Sequence, residues 1–469
     1  SKKVPKCYSS VMDRMGEPKE EAEGSFDGQG HGLHEEAWSL YLRGRREGEK
    51  SEEALRRAIA IVERDPFHLG AVSLLVRMMI DFSHRDLAAQ AAAKLGDAFI
   101  RRGDLPGAAS AAILIDRAGH DGGDLRKAIA QAFGKGSERL ADTAPAPPAL
   151  PSRVRLEEFE SLSGEALEER AKAALRAFIE SDDAHPHGKV PRLPLFSELH
   201  PKALLAFLEA LDMADVDAGE AVITQGSVGH EAFVVVRGTL SAQRIEPVKE
   251  EKAVLALLGP GAIFGEMALV SSAPRAAWVI AEEPSTVLVV PKEALEAAAE
   301  KEPVIAQELA SYCHARMIAN LIRTSPILRA VPLEERESLF ALFEPRTFDR
   351  GEIIVAQGSE PPGLYLIASG AVRGSTVDPS DGEDIVIADL GPGDVFGEIS
   401  VVLRQPATAT VCAIFPTVAF ELSRDRFREV IRKYPALLAE LYELATSRAE
   451  ELRSVVAQEA AQVDDIVLL

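Results

Sequence analysis

A carboxylate and a guanidinium lie nine residues apart in the stretch Phe264-Gly265-Glu266-Met267-Ala268-Leu269 followed by Ala273-Pro274-Arg275-Ala276-Ala277-Trp278-Val279. Glu266 offers an acceptor for a sugar hydroxyl, and Arg275 a planar fork that suits a phosphate. Gly265, without a Cβ, lets backbone approach a ligand closely. A short helix starting after it aims the free N–H groups of Met267 and Ala268 at an anion. The apolar run Trp278-Val279-Ile280 reads as a strand that holds Arg275 in place. Together these residues make a cradle for a phosphorylated sugar. Its bland alternative is a glycine turn beside a solvated arginine.

The stretch resembles the phosphate-binding cassette of cyclic nucleotide-binding domains, matching that pattern at Phe264, Gly265, Glu266, Ala268, Pro274, Arg275, Ala276 and Ala277. The resemblance implies a β-barrel module in which Glu266 holds a ribose 2′-hydroxyl and Arg275 a cyclic phosphate. It also implies cAMP in preference to cGMP, because the residue after the arginine is Ala276 and not Thr.

The elements that must position such a cradle are short strands between glycine turns, which argue for an antiparallel roll. Ala221-Val222-Ile223 and Ala232-Phe233-Val234-Val235-Val236-Arg237 read as strands, the second ended by Gly238. The same punctuation then returns. Gly351, Gln357-Gly358, Gly370, Gly391-Pro392-Gly393 and Phe396-Gly397-Glu398 repeat Gly219, Gln225-Gly226, Gly238, Gly259-Pro260-Gly261 and Phe264-Gly265-Glu266 at one offset, 351 − 219 = 132 and 396 − 264 = 132. One fold is duplicated in tandem without insertion or deletion. The chemistry is not duplicated. The second cassette reads Gly397-Glu398-Ile399-Ser400 and then Pro406-Ala407-Thr408, with Ala407 at the position of Arg275. Leaving a phosphate without its charged fork costs about 1.5–3 kcal/mol or more, so this site is expected to be empty, weak or changed in ligand. Arg404 stands nearby and reads as a surface residue.

Ahead of the barrels, residues 31–140 are rich in Ala and Leu at helical spacing. Ser51 reads as an N-cap for a helix carrying Leu55, Ile59 and Val62 on one face, which Asp65-Pro66 ends. A second helix is expected from Phe67 and a third over Ala108–Ile115. The region loosely resembles tetratricopeptide repeats, which implies a surface for protein partners. Residues 1–30 read as a disordered leader. Residues 141–192 read as a linker, with the spacer Ala144-Pro145-Ala146-Pro147-Pro148-Ala149-Leu150-Pro151, a helix over roughly Glu157–Ile179 and a breaker at His185-Pro186-His187. The first barrel is expected over 193–324 and the second over 325–469. Between them an apolar helical stripe carries Tyr312, a candidate lid weighed against ordinary packing. Beyond the second barrel, Leu438, Leu441, Ala445, Leu452 and Val455 suggest the seam of a homodimer, interrupted by Arg448.

The fold class is therefore α+β and multidomain, with a helical region and two antiparallel β-rolls. A formal charge of −22 over 469 residues opposes a nucleic acid partner. No apolar run approaches the ~20 residues of a membrane span, and no signal peptide is evident. Three cysteines far apart point to the cytoplasm and to no metal site. No nucleophile–base pair or triphosphate loop suggests an enzyme, and the sequence given stops after one helix with no helix-turn-helix. The expected function is a cyclic-nucleotide-responsive adaptor that engages a protein through its helical region. The alternatives are a constitutive scaffold and a protein kinase regulatory subunit, the latter weakened because no Arg-Arg-x-Ala/Ser segment occurs in the linkers.

Overall fold

A computed structural model describes residues 30–141, 156–182, 188–193, 196–245, 252–270, 274–301, 303–325, 327–377 and 384–466. Residues 1–29 of the leader, the proline-rich stretch and His185-Pro186-His187 lie outside them.

Six helices come first: α1 Gly30–Glu47, α2 Glu52–Arg64, α3 Leu69–Asp81, α4 Arg85–Arg102, α5 Leu105–Arg117 and α6 Gly123–Phe133. Local chemistry sets their ends. The Ser51 hydroxyl accepts from the Ala54 N–H at the start of α2, and Asp65 ends that helix in an extended conformation. The next helix starts at Leu69, later than the Phe67 expected, because the Asp65 carboxylate accepts from the Phe67 N–H and holds it in the turn. His68 then caps α3 by accepting from the Ala71 N–H. Gly103 closes α4 at φ +77°, where a side chain would be strained and a Cβ would meet Pro191. Ser51→Ala should remove a cap and cost about 1 kcal/mol, read as a lower urea midpoint at unchanged slope.

Helix α7, Gly164–Glu180, begins seven residues later than the sequence suggests. Ser163 is extended and Gly164 has φ +53°, so the Ser-Leu-Ser-Gly run turns before the helix can start. It packs against α2, α3 and α4, burying Leu167, Ala171, Leu175 and Phe178. Arg170 pairs both its Nε and an Nη with the Glu63 carboxylate, at 2.7 and 2.8 Å. Strands β1 Leu140–Ala141 and β2 Val190–Pro191 pair in parallel, and α8 Pro201–Glu209 packs on α6.

The first roll comprises β3 Asp212–Val216, β4 Ala221–Ile223, β5 Glu231–Arg237, β6 Leu240–Ile245, β7 Lys252–Leu258, β8 Ile263–Phe264, β9 Trp278–Ala281 and β10 Ser285–Pro291. The one-turn helix α9 Met267–Val270 lies between β8 and β9. Two antiparallel sheets, in the orders β3-β10-β5-β8 and β4-β9-β6-β7, enclose Val235, Leu240, Phe264 and Val287. Helices α10 Lys292–Lys301, α11 Val304–Thr324 and α12 Leu333–Phe340 lead to the second roll. Its strands are β11 Glu344–Phe348, β12 Ile353–Val355, β13 Gly363–Ser369, β14 Val372–Val377, β15 Asp384–Leu390, β16 Val395–Phe396, β17 Thr410–Ala413 and β18 Thr417–Ser423. Each strand starts and ends 132 residues after its counterpart (344 − 212 and 423 − 291), and the sheet orders β11-β18-β13-β16 and β12-β17-β14-β15 repeat the first pair. Helix α13 Glu398–Val402 takes the place of α9, and α14 Arg424–Lys433 and α15 Pro435–Ile466 follow. Among the described residues no helix is long and apolar enough to cross a membrane.

Two of the residues read as a dimer seam are turned inward, while Leu438 and Leu452 are half-buried. Leu441 and Ala445 are fully buried within their own chain, and Leu441 shares a core with Leu366 and Phe420 of the second roll.

One core runs unbroken from the helical region into the first roll, joining Trp38, Leu75, Phe207, Val234 and Leu288. Charges close around it. Arg77 bonds Asp215 at 3.2 Å, Arg46 bonds Glu220 at 2.7 Å, and Arg237 of β5 bonds Glu35 of α1. The Trp38 indole N–H donates to His34 Nε2, which leaves the neutral ring's Nδ1–H to donate to Glu35. Burial pushes the Glu35 carboxyl up, but His34 and Arg237 outweigh it and hold it at about 2. Desolvation in turn outweighs Glu35 at Arg237 and lowers the guanidinium's pKa, so the pair's net worth is modest. A carboxyl lower in the folded than in the unfolded chain stabilises above its unfolded pKa, and that stability is lost as pH falls toward 2. Glu35→Gln should therefore cost on the order of 2 kcal/mol at pH 7 and much less near pH 2, a convergence visible in urea unfolding across that range.

Candidate functional site

Strand β8 delivers the chain to Gly265, whose φ of +72° turns it sharply into α9. A Cβ there would come within 2.8 Å of Arg275 Nη1, so the glycine makes room for the guanidinium. Gly229 does the same from the other side, since its Cβ would stand 2.4 Å from Arg275 Nη2. Arg275 itself is fixed by backbone: its N–H donates to Ser227 O and its carbonyl accepts from the Gly226 N–H, both at 2.8 Å. Its side chain donates to Gly265 O at 2.9 Å and Glu231 O at 2.7 Å, with the Glu231 carboxylate 3.7 Å away.

Glu266 is 6% exposed. Burial pushes its carboxyl up, opposed by its own backbone N–H, by Arg316 and by Arg275. Arg316 reaches over from α11, its Nε 3.5 Å from Glu266 Oε1 and its Nη2 donating to Ile263 O at 3.2 Å. Burial lowers the Arg275 pKa, partly offset by Glu231 and Glu266. The arrangement sets a buried acceptor near a buried fork whose two donor groups are held by backbone oxygens. Met267, Ala268, Ala276 and Ala277 complete the turn, with Ala268 buried and Ala276 exposed.

The second roll keeps this backbone and changes the side chains. Ala407 N–H donates to Ser359 O at 2.8 Å and Gly358 N–H to Ala407 O at 2.7 Å, the same two bonds that fix Arg275. Its side chain is a buried methyl packed with Val355, Tyr365, Phe396 and Val411. Pro361 stands where Gly229 makes room, and Gly363 where Glu231 stands. Glu398 is 2% exposed and bonds Arg448 at 2.9 Å, while Arg448 also donates to Val395 O at 2.6 Å. Since 448 − 316 = 132, Arg448 is the counterpart of Arg316, and the residue read as interrupting an apolar run is a conserved part of the repeat's geometry. Gly397 has φ +82°; Ile399 and Thr408 line the cleft beside Glu398.

The chain matches the cyclic nucleotide-binding domain family over residues 214–302 and 345–434. It is 31% identical over 242 residues to the cAMP-dependent protein kinase regulatory subunit of Dictyostelium discoideum, an alignment that covers 50% of this chain and 70% of that protein. This chain belongs to the cyclic nucleotide-binding family and is homologous to the regulatory subunits of cAMP-dependent protein kinase. The regulatory subunit of Yarrowia lipolytica is 29% identical over 239 residues, covering 50% of this chain and 58% of that protein. This chain thus spans between about half and three quarters of the length of these relatives. The regulatory domain of Toxoplasma gondii protein kinase A, solved with cAMP, aligns with 55% of this chain and 92% of that one at 24% identity and a TM-score of 0.26.

In this cyclic nucleotide-binding protein Tyr312 is buried at 7% exposure in the core shared by the helical region and the first roll, its hydroxyl without a hydrogen-bond partner among the described residues. Arg404 is exposed, as the sequence suggests. Gly229, Glu231, Arg316 and Arg448 went unread in the sequence as parts of the cassettes. The 132-residue offset, carried past the strands into α11 and α15, is the signal that pairs the two arginines.

Proposed function

We propose that this protein is a cAMP-responsive regulator whose first roll binds the ligand and whose helical region engages a protein partner. The observation that carries the reading is Arg316, which joins Glu266 in the cassette to α11, the helix leading to the second roll. A ligand that donates a hydroxyl to Glu266 and takes the Arg275 fork alters the environment of Arg316, and so favours one placement of α11 over another. Ala276 beside the fork supports cAMP over cGMP. Met267, Ala268 and Ala277 supply the rest of the cradle, and Ala407 leaves the second cassette without its phosphate partner.

Titration of the whole chain with cAMP and with cGMP tests this reading, with hydrogen exchange followed across α11. One tight cAMP site accompanied by changed protection in α11 is expected. No binding of either nucleotide would leave a scaffold with structural rolls. The names of the curated relatives favour a second reading, in which the partner is a kinase catalytic chain. Recovery of such a chain on the immobilised protein, and its release by cAMP, would support that over an unrelated adaptor.

A further inference from the structure

Along one face of α11, Glu308, Tyr312 and Arg316 follow one another at four-residue spacing, so they stack turn upon turn over about 12 Å. Each carries a buried polar atom that lacks a hydrogen bond among the described residues. These are Glu308 Oε2, the Tyr312 hydroxyl and Arg316 Nε, the last 3.5 Å from Glu266 Oε1. Leaving such an atom buried and unpaired disfavours a packing by roughly fivefold to a hundredfold. Three of them on one face make this placement of α11 a marginal one, which a small bias at either end of the stripe can shift.

The two ends of the stripe reach different parts of the molecule. At one end Arg316 meets Glu266 of the cassette, and Cys313 Sγ donates to Glu266 O at 3.6 Å. At the other, Glu308 Oε1 lies 3.6 Å from Lys135 Nζ. Lys135 follows Gly134, the C-cap of α6 in the helical region, and its N–H donates to Leu199 O at 2.8 Å, just ahead of α8. Phe133, Leu199, Phe207, Ile305 and Tyr312 share the core beneath this line. In the second copy the 132-residue offset gives Glu440, which is exposed, and Leu444 in place of Tyr312. The buried stripe thus belongs to the copy that packs on the helical region. We infer that Lys135 is a positioning residue for the first site. Through Glu308, Tyr312 and Arg316 the helical region biases how α11 presents Arg316 to Glu266, and so sets ligand affinity from outside the roll. The inference rests on the first roll being the cyclic nucleotide site. By reciprocity, ligand in the cassette changes the hold of α11 on Lys135.

The test is calorimetric titration of the full chain with cAMP, in the wild type, Lys135→Glu and Tyr312→Phe. Lys135→Glu sets a like charge against Glu308 and disfavours this placement of α11, whereas Tyr312→Phe deletes an unpaired hydroxyl and favours it. The two variants should therefore shift the cAMP Kd in opposite directions, Lys135→Glu by about threefold and Tyr312→Phe by about fivefold or more. Lys127→Glu makes the same change of charge on α6, at an exposed lysine paired with Asp124, and should leave the Kd within about twofold. Saturation with cAMP should also change the hydrogen-exchange protection of the Lys135 amide, which a lysine serving only the fold would not show. Shifts in one direction, an equal shift in Lys127→Glu, or unchanged affinity in both variants beside normal wild-type binding would overturn the inference. Absence of cAMP binding to the wild type would overturn the first-site reading, and this inference with it.

Discussion

Arg275→Ala should weaken cAMP binding at the first roll by at least roughly a hundredfold. The guanidinium is held beside the turn that carries Glu266, its two donor bonds going to the backbone oxygens of Gly265 and Glu231. Each charge-assisted bond lost with a buried phosphate costs about 1.5–3 kcal/mol, and about 1.4 kcal/mol is tenfold in affinity. The fold should survive, because Ala407 occupies the equivalent position in the second roll with both backbone bonds intact. Two measurements check this. Calorimetry should show the cAMP site vanish, and thermal unfolding should lose the ~2.7 kcal/mol of stabilisation that saturation at 100 times Kd gives the wild type. Undiminished cAMP affinity in the variant would mean that the ligand binds elsewhere.

Trp38→Ala should be the most damaging single change to the fold. Trp38 has no exposed surface, and the guanidinium carbons of Arg237 and Arg77 sit 4.3 and 5.0 Å from its ring centroid. Tyr41 packs against it edge-on at 5.9 Å. Truncating a buried tryptophan costs about 3–5 kcal/mol, and each lost cation–π contact adds about 0.5–1 kcal/mol or more. The variant also leaves Arg77 worse off, since among the described residues its Nε and Nη1 already lack hydrogen-bond partners. That loss is a large share of the 5–15 kcal/mol that ordinarily holds a domain together. The sequence has two tryptophans, so the variant keeps only Trp278 in β9 and its fluorescence reports the first roll alone. Urea unfolding followed by that fluorescence and by helical circular dichroism should show both transitions at lower urea. Were the roll's midpoint unmoved, the helical region would be an appended domain and not part of the roll's core.

The sequence alone determined the tandem rolls, the first cassette and the loss of charge in the second. All three sit in contiguous motifs, where glycines mark turns that only they tolerate and a constant 132-residue offset aligns one copy on the other. Ser51 and Asp65 likewise set helix ends through bonds spanning two or three residues. The tertiary structure decided what depends on distant chain coming together. Arg316 went unread, and Arg448 read only as a break in an apolar run, because their helices reach the cassettes only by packing, some 50 residues from Glu266 and Glu398. Leu441 and Ala445 read as part of a dimer seam for the same reason, because an apolar stripe states that it will be buried and not against what. The joining of the helical region to the first roll was illegible too. Its contacts, Glu35 with Arg237 and Arg77 with Asp215, link residues more than a hundred positions apart whose charges look solvated until the core between them closes.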